Sequence, residues 1–388
     1  MHPISTQDVK SMIRSGPGPK VSIYVPTHRI KEDAAQDVIR LKNSLSLAEK
    51  SLVERGMRAP EAEDLLSPAR DLLVDEGFWA TQSDGLALFI STDQLRRYRL
   101  SHRFEPYTVV SDRYHIKPLI PLISGGGRYF ILAVSLEEVR LMGGNEYSVD
   151  DIEVEEMPQG IAEALRYDDP ERRLQFHTTT ETPSGAERAA QFYGHGVGTK
   201  EKKKDRILRN FQRVADHVHS AIGSGDAPLV LAGVEYLLPI YRQAAKYPHI
   251  VDESIPGNPE RVSHDEFHRQ SWQPVEPLFR QKRQAHLEQY YTLKEEGRAS
   301  GDLGAVIYAA YRGLVRAIFV TSEQELWGRY DEERDRIEVD EGPTGSNVDL
   351  LDLAAARTIA DGGAAYALSD EQMPDQEMVA AVFRDGMW

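Results

Sequence analysis

The chain of 388 residues contains no cysteine. That excludes disulfide frameworks, thiolate-bound zinc, cysteine-ligated iron–sulfur clusters and thiol nucleophiles, and leaves any chemistry to oxygen and nitrogen groups. Long apolar runs are missing as well. Leu86–Ile90, Tyr129–Val134 and Pro228–Ala232 have the length of strands rather than of membrane spans. Met1 to Lys20 carries no apolar h-region, so a cytoplasmic protein without a membrane partner is expected. Positive charge is scarce: 46 Lys and Arg stand against 62 Asp and Glu, a net charge of −16. Such a chain does not coat nucleic acid or anionic membrane non-specifically, so any RNA contact must be local. There is no Gly-x-Ser-x-Gly elbow to supply a serine nucleophile, no repeat of fixed period and no single-residue tract.

What is present describes an ordinary globular protein, 40% hydrophobic and 28% charged, about 2.6 times a ~150-residue domain in length. Val21–Val25 reads as a strand closed by Pro26, and Val38, Leu41, Leu45, Ala48 and Leu52 recur at helical steps before Gly56. A second stripe, Leu65, Leu66, Ala69, Leu72 and Leu73, precedes a buried strand over Gly85–Ile90. The glycines Gly125, Gly126 and Gly127 make a permissive joint, where a domain boundary is expected. Tyr129–Val134 and Val139–Met142 read as strand, turn and strand; Thr178–Glu187 reads as a long loop without period. Ile207, Leu208, Phe211, Val214, Ala215 and Val218 form one helical face, and Leu229–Gly233 a buried strand leading into another helix. Beyond Pro256–Pro259 the pattern predicts a long helix to Glu296, a helix capped by Asp302, a strand over Ala317–Val320, a helix opened by Asp349 or Asp352, and strands at Ala364–Leu368 and Met378–Phe383. The order implies α/β layering in three domains, 1–126, 127–258 and 259–388.

Gly194-His-Gly-Val-Gly198 followed by Lys200, Lys202, Lys203, Lys204, Arg206, Arg209 and Arg213 is the most informative stretch. From Lys200 to His219 it is net +4, with seven basic and three acidic side chains, inside an acidic chain. Glycines let backbone approach a crowded surface, and cations off the apolar face of a helix neutralise phosphates. The same residues also fit a plain solvated helix face. A phosphate-binding P-loop fails on spacing, because Thr199 precedes Lys200 and three residues, not four, lie between Gly194 and Gly198. His264 and His268 stand one helical turn apart, yet the zinc-protease order needs Glu where Asp265 stands. No catalytic residue, metal ligand or cofactor site is nominated.

The succession Val21-Ser-Ile-Tyr-Val-Pro26, Gly85–Ile90, Phe104-Glu-Pro106, Ile116–Ser124, Tyr129–Val134, Leu229-Val-Leu-Ala-Gly233 and Asp302–Val320 resembles the archaeal and eukaryotic release-factor and Pelota superfamily, in particular the bacterial archaeo-eukaryotic release factor family. The resemblance implies an N-terminal α/β domain that reads the decoding site and an RNase H-like middle domain whose loop reaches the peptidyl-transferase centre. It also implies an L7Ae-like α/β sandwich that docks a partner protein, and a tRNA-like outline for the whole. Release factors carry Gly-Gly-Gln ahead of the basic helix; the matching place here is Gly194, His195, Gly196 and Gly198, and no Gly-Gly-Gln occurs anywhere in the chain. Asn-Ile-Lys-Ser, the stop-codon motif, is absent from Asp37-Val-Ile-Arg-Leu-Lys-Asn43. The expectation is therefore a factor that binds the rRNA of the ribosomal A site, rescuing stalled or protecting idle ribosomes, without hydrolysing peptidyl-tRNA. Gly194, His195, Gly196, Gly198, Lys200, Lys202, Lys203, Lys204, Arg206, Arg209 and Arg213 are the expected RNA contacts. Thr27, His28, Arg29 and Lys31 either join them or form an ordinary strand-to-helix loop. The rivals are a metal-dependent nuclease using Asp150, Asp151 and Glu153, a hydrolase with His195 as base, and a protein-docking module.

Overall fold

Strand β1 (Lys20–Pro26) is buried along its whole length because its two faces meet two different cores. Val21, Ile23 and Val25 pack with Leu41, Leu45 and Ala48 of the helix Ala34–Glu54 and with Leu65, Leu66 and Ala69 of the helix Ala59–Arg70. Tyr24 turns the other way, toward Phe89, Phe104 and Ile116. A strand covered on both sides loses the in-out alternation of a half-exposed one, which is why no residue of β1 is exposed and even Ser22 is fully buried. β2 (Gly85–Ile90), β3 (Leu95–Leu100) and β4 (Tyr107–Ser111) complete an antiparallel sheet in the order β3-β2-β1-β4. The computed structural model describes residues 4, 6–29, 34–123, 128–158, 160–161, 196–223, 225–344 and 346–384. The expected glycine joint at 124–127 and the loop at 178–187 lie outside them.

The chain is mixed α/β, and its contacts separate it into two units. One comprises Met1–Arg128, Asn145–Ser148 and Glu276–Trp388; the other comprises Tyr129–Gly144 and Val149–Val275. In the latter, β5 (Tyr129–Val134), β6 (Val139–Gly144) and β7 (Val149–Ile152) form an antiparallel meander. β8 (Leu229–Gly233) then adds parallel to β5, and β9 (Ile250–Pro256) parallel to β8. The order β7-β6-β5-β8-β9 puts the two most apolar strands in the middle. Phe130, Leu132 and Val134 face Ile207, Phe211, Val214 and Val218 of the helix Gly196–Ile222. On the opposite face the Tyr129 hydroxyl and Ser271 Oγ, on the helix His264–Lys294, share a buried hydrogen bond of 2.8 Å.

Where β8 ends, Gly233 has φ +156°, and its carbonyl accepts the Gly257 N–H at 3.0 Å. A Cβ there would sit 2.3 Å from the Val134 carbonyl oxygen, so only glycine lets β5 and β8 keep their spacing. Gly233→Ala is expected to lower stability by about 1–3 kcal/mol, read as a reduced melting temperature; an unchanged melt would contradict this packing.

The remaining strands are β10 (Ala299–Ser300), β11 (Val315–Thr321), β12 (Trp327–Asp331), β13 (Arg336–Val339), β14 (Val348–Asp349), β15 (Ala364–Leu368) and β16 (Val379–Phe383). They form two sheets, β10-β16-β11-β15 and β13-β12-β14. As the sequence predicts, Asp302 caps one helix, Leu303–Tyr311, by accepting the Ala305 N–H at 2.8 Å. Asp349 caps the other, Leu350–Ala360, through the Leu351 N–H at 3.0 Å. Val306, Ile307, Leu350, Ala354 and Ile318 belong to the same core as Tyr24, Phe89 and Ile120, so the first and last stretches of the chain fold around one interior.

A buried polar clamp pins that interior. Asp352 accepts the backbone N–H groups of Ile116 and Lys117, both at 2.6 Å. Lys117 Nζ donates to the Gln324 carbonyl at 2.6 Å and lies 2.8 Å from Asp349 Oδ2 as a close ion pair. Tyr24 donates to the His115 carbonyl at 2.6 Å, and burial, then the Asp352 charge, push the Tyr24 hydroxyl's pKa far above its ordinary value.

Candidate nucleic-acid interface

The helix Gly196–Ile222 owes its orientation to its apolar stripe. Ile207, Phe211, Val214, Ala215 and Val218 recur at steps of three and four, are buried, and lie on the sheet. The Phe211 ring meets Tyr241 edge-on at 5.4 Å, fixing the helix against its neighbour Leu238–Ala244. With that face committed, Arg209 falls on the opposite side, about 180° around the helix axis, and Arg206 and Arg213 fall about 120–150° from the stripe on its flank. Lys203, Lys204, Arg209 and Arg213 are exposed and Arg206 is half-buried.

The four exposed charges are not tied up by acidic neighbours. Among the described residues Lys203, Lys204 and Arg213 form no ion pair, and Arg209 Nε donates only to the Asp205 carbonyl of its own helix, at 3.4 Å. Asp216, the acidic group farther along, pairs with Lys246 at 3.4 Å, both groups exposed. Lys203, Lys204, Arg209 and Arg213 make a solvated positive strip that phosphates can enter without displacing strong internal partners. Gly196, Gly198, Lys200 and Lys202 lie in the first turns of the helix; Gly194 and His195 lie outside the described residues.

The second group of expected contacts is held differently. Thr27 is 2% exposed, and its hydroxyl donates to the Ser83 carbonyl at 2.7 Å while its N–H bonds Asp84 O at 2.9 Å. His28 gives its backbone N–H to Asp37 Oδ2 at 2.8 Å, and its Nδ1 lies 2.9 Å from Asp37 Oδ1. Asp37 is fully buried and also accepts from Arg40 at 2.7 Å. Arg29 pairs with Asp84 at 2.7 Å on the surface. Lys31 lies outside the described residues. The sequence reading overlooked Asp37 and Asp84 as partners. Asp37 falls in a helical apolar pattern, where an acidic residue ordinarily reads as solvated, so nothing short of the fold reveals that it is the buried acceptor of a loop.

Asp151 Oδ2 lies 2.9 Å from His264 Nε2, whereas His268 stacks on Trp272 with the rings 17° apart, so the two imidazoles do not converge. Among the described residues no group of three or more His, Asp or Glu side chains is placed to hold a metal ion. Nor is any helix among them long and apolar enough to cross a membrane.

Comparison with known proteins agrees with the resemblance read from the sequence. Residues 129–277 match the family model of Bacterial archaeo-eukaryotic release factor family 7, a stretch that contains the basic helix. Comparison with curated proteins gives no match. Among solved structures, a model of ribosome-bound archaeal Pelota and ABCE1 is 12% identical, covering 98% of this chain and 94% of that one, with a TM-score of 0.34. An archaeal translation termination factor is 11% identical over 98% of each chain, with a TM-score of 0.22. Pelota from Archaeoglobus fulgidus is 12% identical, covering 77% of this chain and 79% of that one, with a TM-score of 0.25. Scores at this level do not amount to a shared global superposition.

Proposed function

We propose that the chain is a release-factor-like translation factor that binds ribosomal RNA through the exposed cations of the helix Gly196–Ile222. The observation that carries the proposal is a coincidence in place: the stretch matching a release-factor family, 129–277, is the one whose helix turns Lys203, Lys204, Arg209 and Arg213 to solvent. Binding of this kind is electrostatic, with each phosphate contact releasing counterions. It needs local positive charge, not a basic protein.

In this reading 127–258 is an RNase H-like domain, which the meander followed by two parallel strands supports, and 259–388 is an L7Ae-like sandwich offering a surface to a protein partner. Residues 1–126 face the A site. The Arg29–Asp84 pair is a two-point surface contact, Nε to Oδ1 at 3.1 Å and Nη2 to Oδ2 at 2.7 Å, 49% and 37% exposed, so salt screens it and a phosphate offers the guanidinium the same two-oxygen geometry. The chain has no Gly-Gly-Gln, hence no amide to position water on a peptidyl-tRNA ester, which favours rescue of stalled or protection of idle ribosomes over peptide release. Its place of action is then the cytoplasm.

The test is sedimentation of the full chain with ribosomes through a sucrose cushion. The protein is expected in the pellet at about 50 mM salt and largely in the supernatant at about 200 mM, and nuclease digestion of the rRNA should abolish pelleting. Failure to pellet at low salt, or pelleting indifferent to salt and nuclease, would overturn the reading.

A further inference from the structure

A cleft of about 500 Å³ lies between the helix ends and the β12–β13 hairpin of the first unit. It falls within the ~300–1,000 Å³ usual for small-molecule sites. Its walls carry four guanidinium groups, Arg113, Arg329, Arg334 and Arg336, against two carboxylates, Asp331 and Glu338. In a chain of net charge −16 this local excess of positive charge needs a reason.

The arginines differ in how they are compensated. Arg329 lies 3.7 Å from Asp340, Arg334 3.4 Å from Asp331 and Arg336 3.9 Å from Glu338, loose pairs on an exposed rim. Arg113, half-buried, makes no side-chain hydrogen bond and no ion pair among the described residues. Burial pulls its pKa down, opposed mainly by the field of Asp352, while Arg357 repels it. The Asp352 carboxylate is already engaged by the Ile116 and Lys117 N–H groups. Arg357 is itself spent on the Tyr311 ring, its guanidinium 4.3 Å from the centroid. An arginine keeps its charge even when partly desolvated, so the inner end of the cleft is a fixed cation without an adequate counterion. Beside it stand Tyr311 and Tyr330, their rings 4.6 Å apart and tilted by 53°, which give the cleft an aromatic wall.

We propose that this cleft binds a phosphate-bearing small molecule, its phosphate on the Arg113 guanidinium with Arg334 and Arg336 at the mouth and its remaining body along Tyr311 and Tyr330. Arginine suits this task, because its planar fork meets two phosphate oxygens at once. The proposal is independent of the ribosome reading, whose cations lie on another element.

The experiment is calorimetric titration of the full chain, at constant ionic strength, with inorganic phosphate, ribose 5-phosphate and AMP in separate runs. Saturable one-to-one binding of at least one probe is expected, weakened tenfold or more by Arg113→Gln and several-fold by the rim pair Arg334→Ala with Arg336→Ala. AMP binding tightest would identify a nucleotide as the source of the phosphate; equal affinities would identify the phosphate group alone. Should Arg113→Gln fail to fold, as judged by its melting curve, the rim variant, which removes exposed groups only, decides the matter. No saturable heat with any probe, or binding untouched by the variants, overturns the proposal. Binding of a short oligoribonucleotide but of none of the three probes also overturns it.

Discussion

Reversing four charges at once, Lys203→Glu, Lys204→Glu, Arg209→Glu and Arg213→Glu, is expected to abolish co-sedimentation with ribosomes while the helix stays folded. All four side chains are exposed and none contributes to the apolar face that seats the helix, so the core of Phe211 and Val214 is untouched. Each phosphate contact contributes close to one power of salt concentration to the affinity, and losing several lowers it by roughly 100-fold or more at moderate salt. Reversal also sets new carboxylates beside Asp205 and Asp216, a helix penalty of about 0.2–0.5 kcal/mol per like-charge pair that the buried face can absorb. Circular dichroism should therefore match the unsubstituted protein. The salt dependence of any residual binding should flatten by about 3 powers if the four cations act together. Pelleting equal to that of the original chain would remove this helix from the interface.

Asp352→Ala should have the largest effect on stability. The carboxylate accepts two buried backbone N–H groups at 2.6 Å, and hydrogen bonds to a charged group are worth about 1.5–3 kcal/mol each, so roughly 3–6 kcal/mol is lost when both donors are left without an acceptor. The donors belong to residues 116 and 117 and the acceptor to the helix Leu350–Ala360, far apart in sequence, so the loss falls on the joint between the first and last stretches of the chain. Urea unfolding should show the transition of the first unit displaced to lower denaturant while that of the second, Tyr129–Gly144 with Val149–Val275, keeps its midpoint. Lys117→Met should act in the same direction by leaving Asp349, fully buried at its side chain, without its cation. A loss below about 1 kcal/mol for Asp352→Ala would mean that water or a relaxed backbone satisfies the two N–H groups.

Elements whose pattern arises from local burial were readable in advance. β2, β5, β8 and β16 are continuous apolar runs, β1 and β11 are mostly apolar, and the helices Ala34–Glu54 and Gly196–Ile222 show the 3.6-residue stripe, since each is covered by neighbours that demand it. β3 and β13 escaped notice. Leu95-Arg-Arg-Tyr-Arg-Leu100 and Arg336-Ile-Glu-Val339 are edge strands rich in charged side chains, and an edge strand needs only one hydrogen-bonding neighbour and little apolar surface. The basic helix was legible for the same reason as its core face: composition and period both lie within one short segment.

Sequence alone thus determined the α/β class, the absence of thiol chemistry, the strip of cations opposite an apolar face and the missing Gly-Gly-Gln, because each is a property of residue type or of spacing within a few turns of chain. Tertiary structure decided which charges are free to act. It buried Asp37 beneath His28, paired Arg29 with Asp84, drew Lys117 onto Asp349 and left Arg113 in the field of Asp352 without a direct ion pair. Whether a charged side chain meets water, a counter-charge or neither depends on partners separated by 9 to 232 positions in these cases, and the energy of an ion is set by those neighbours rather than by its own type.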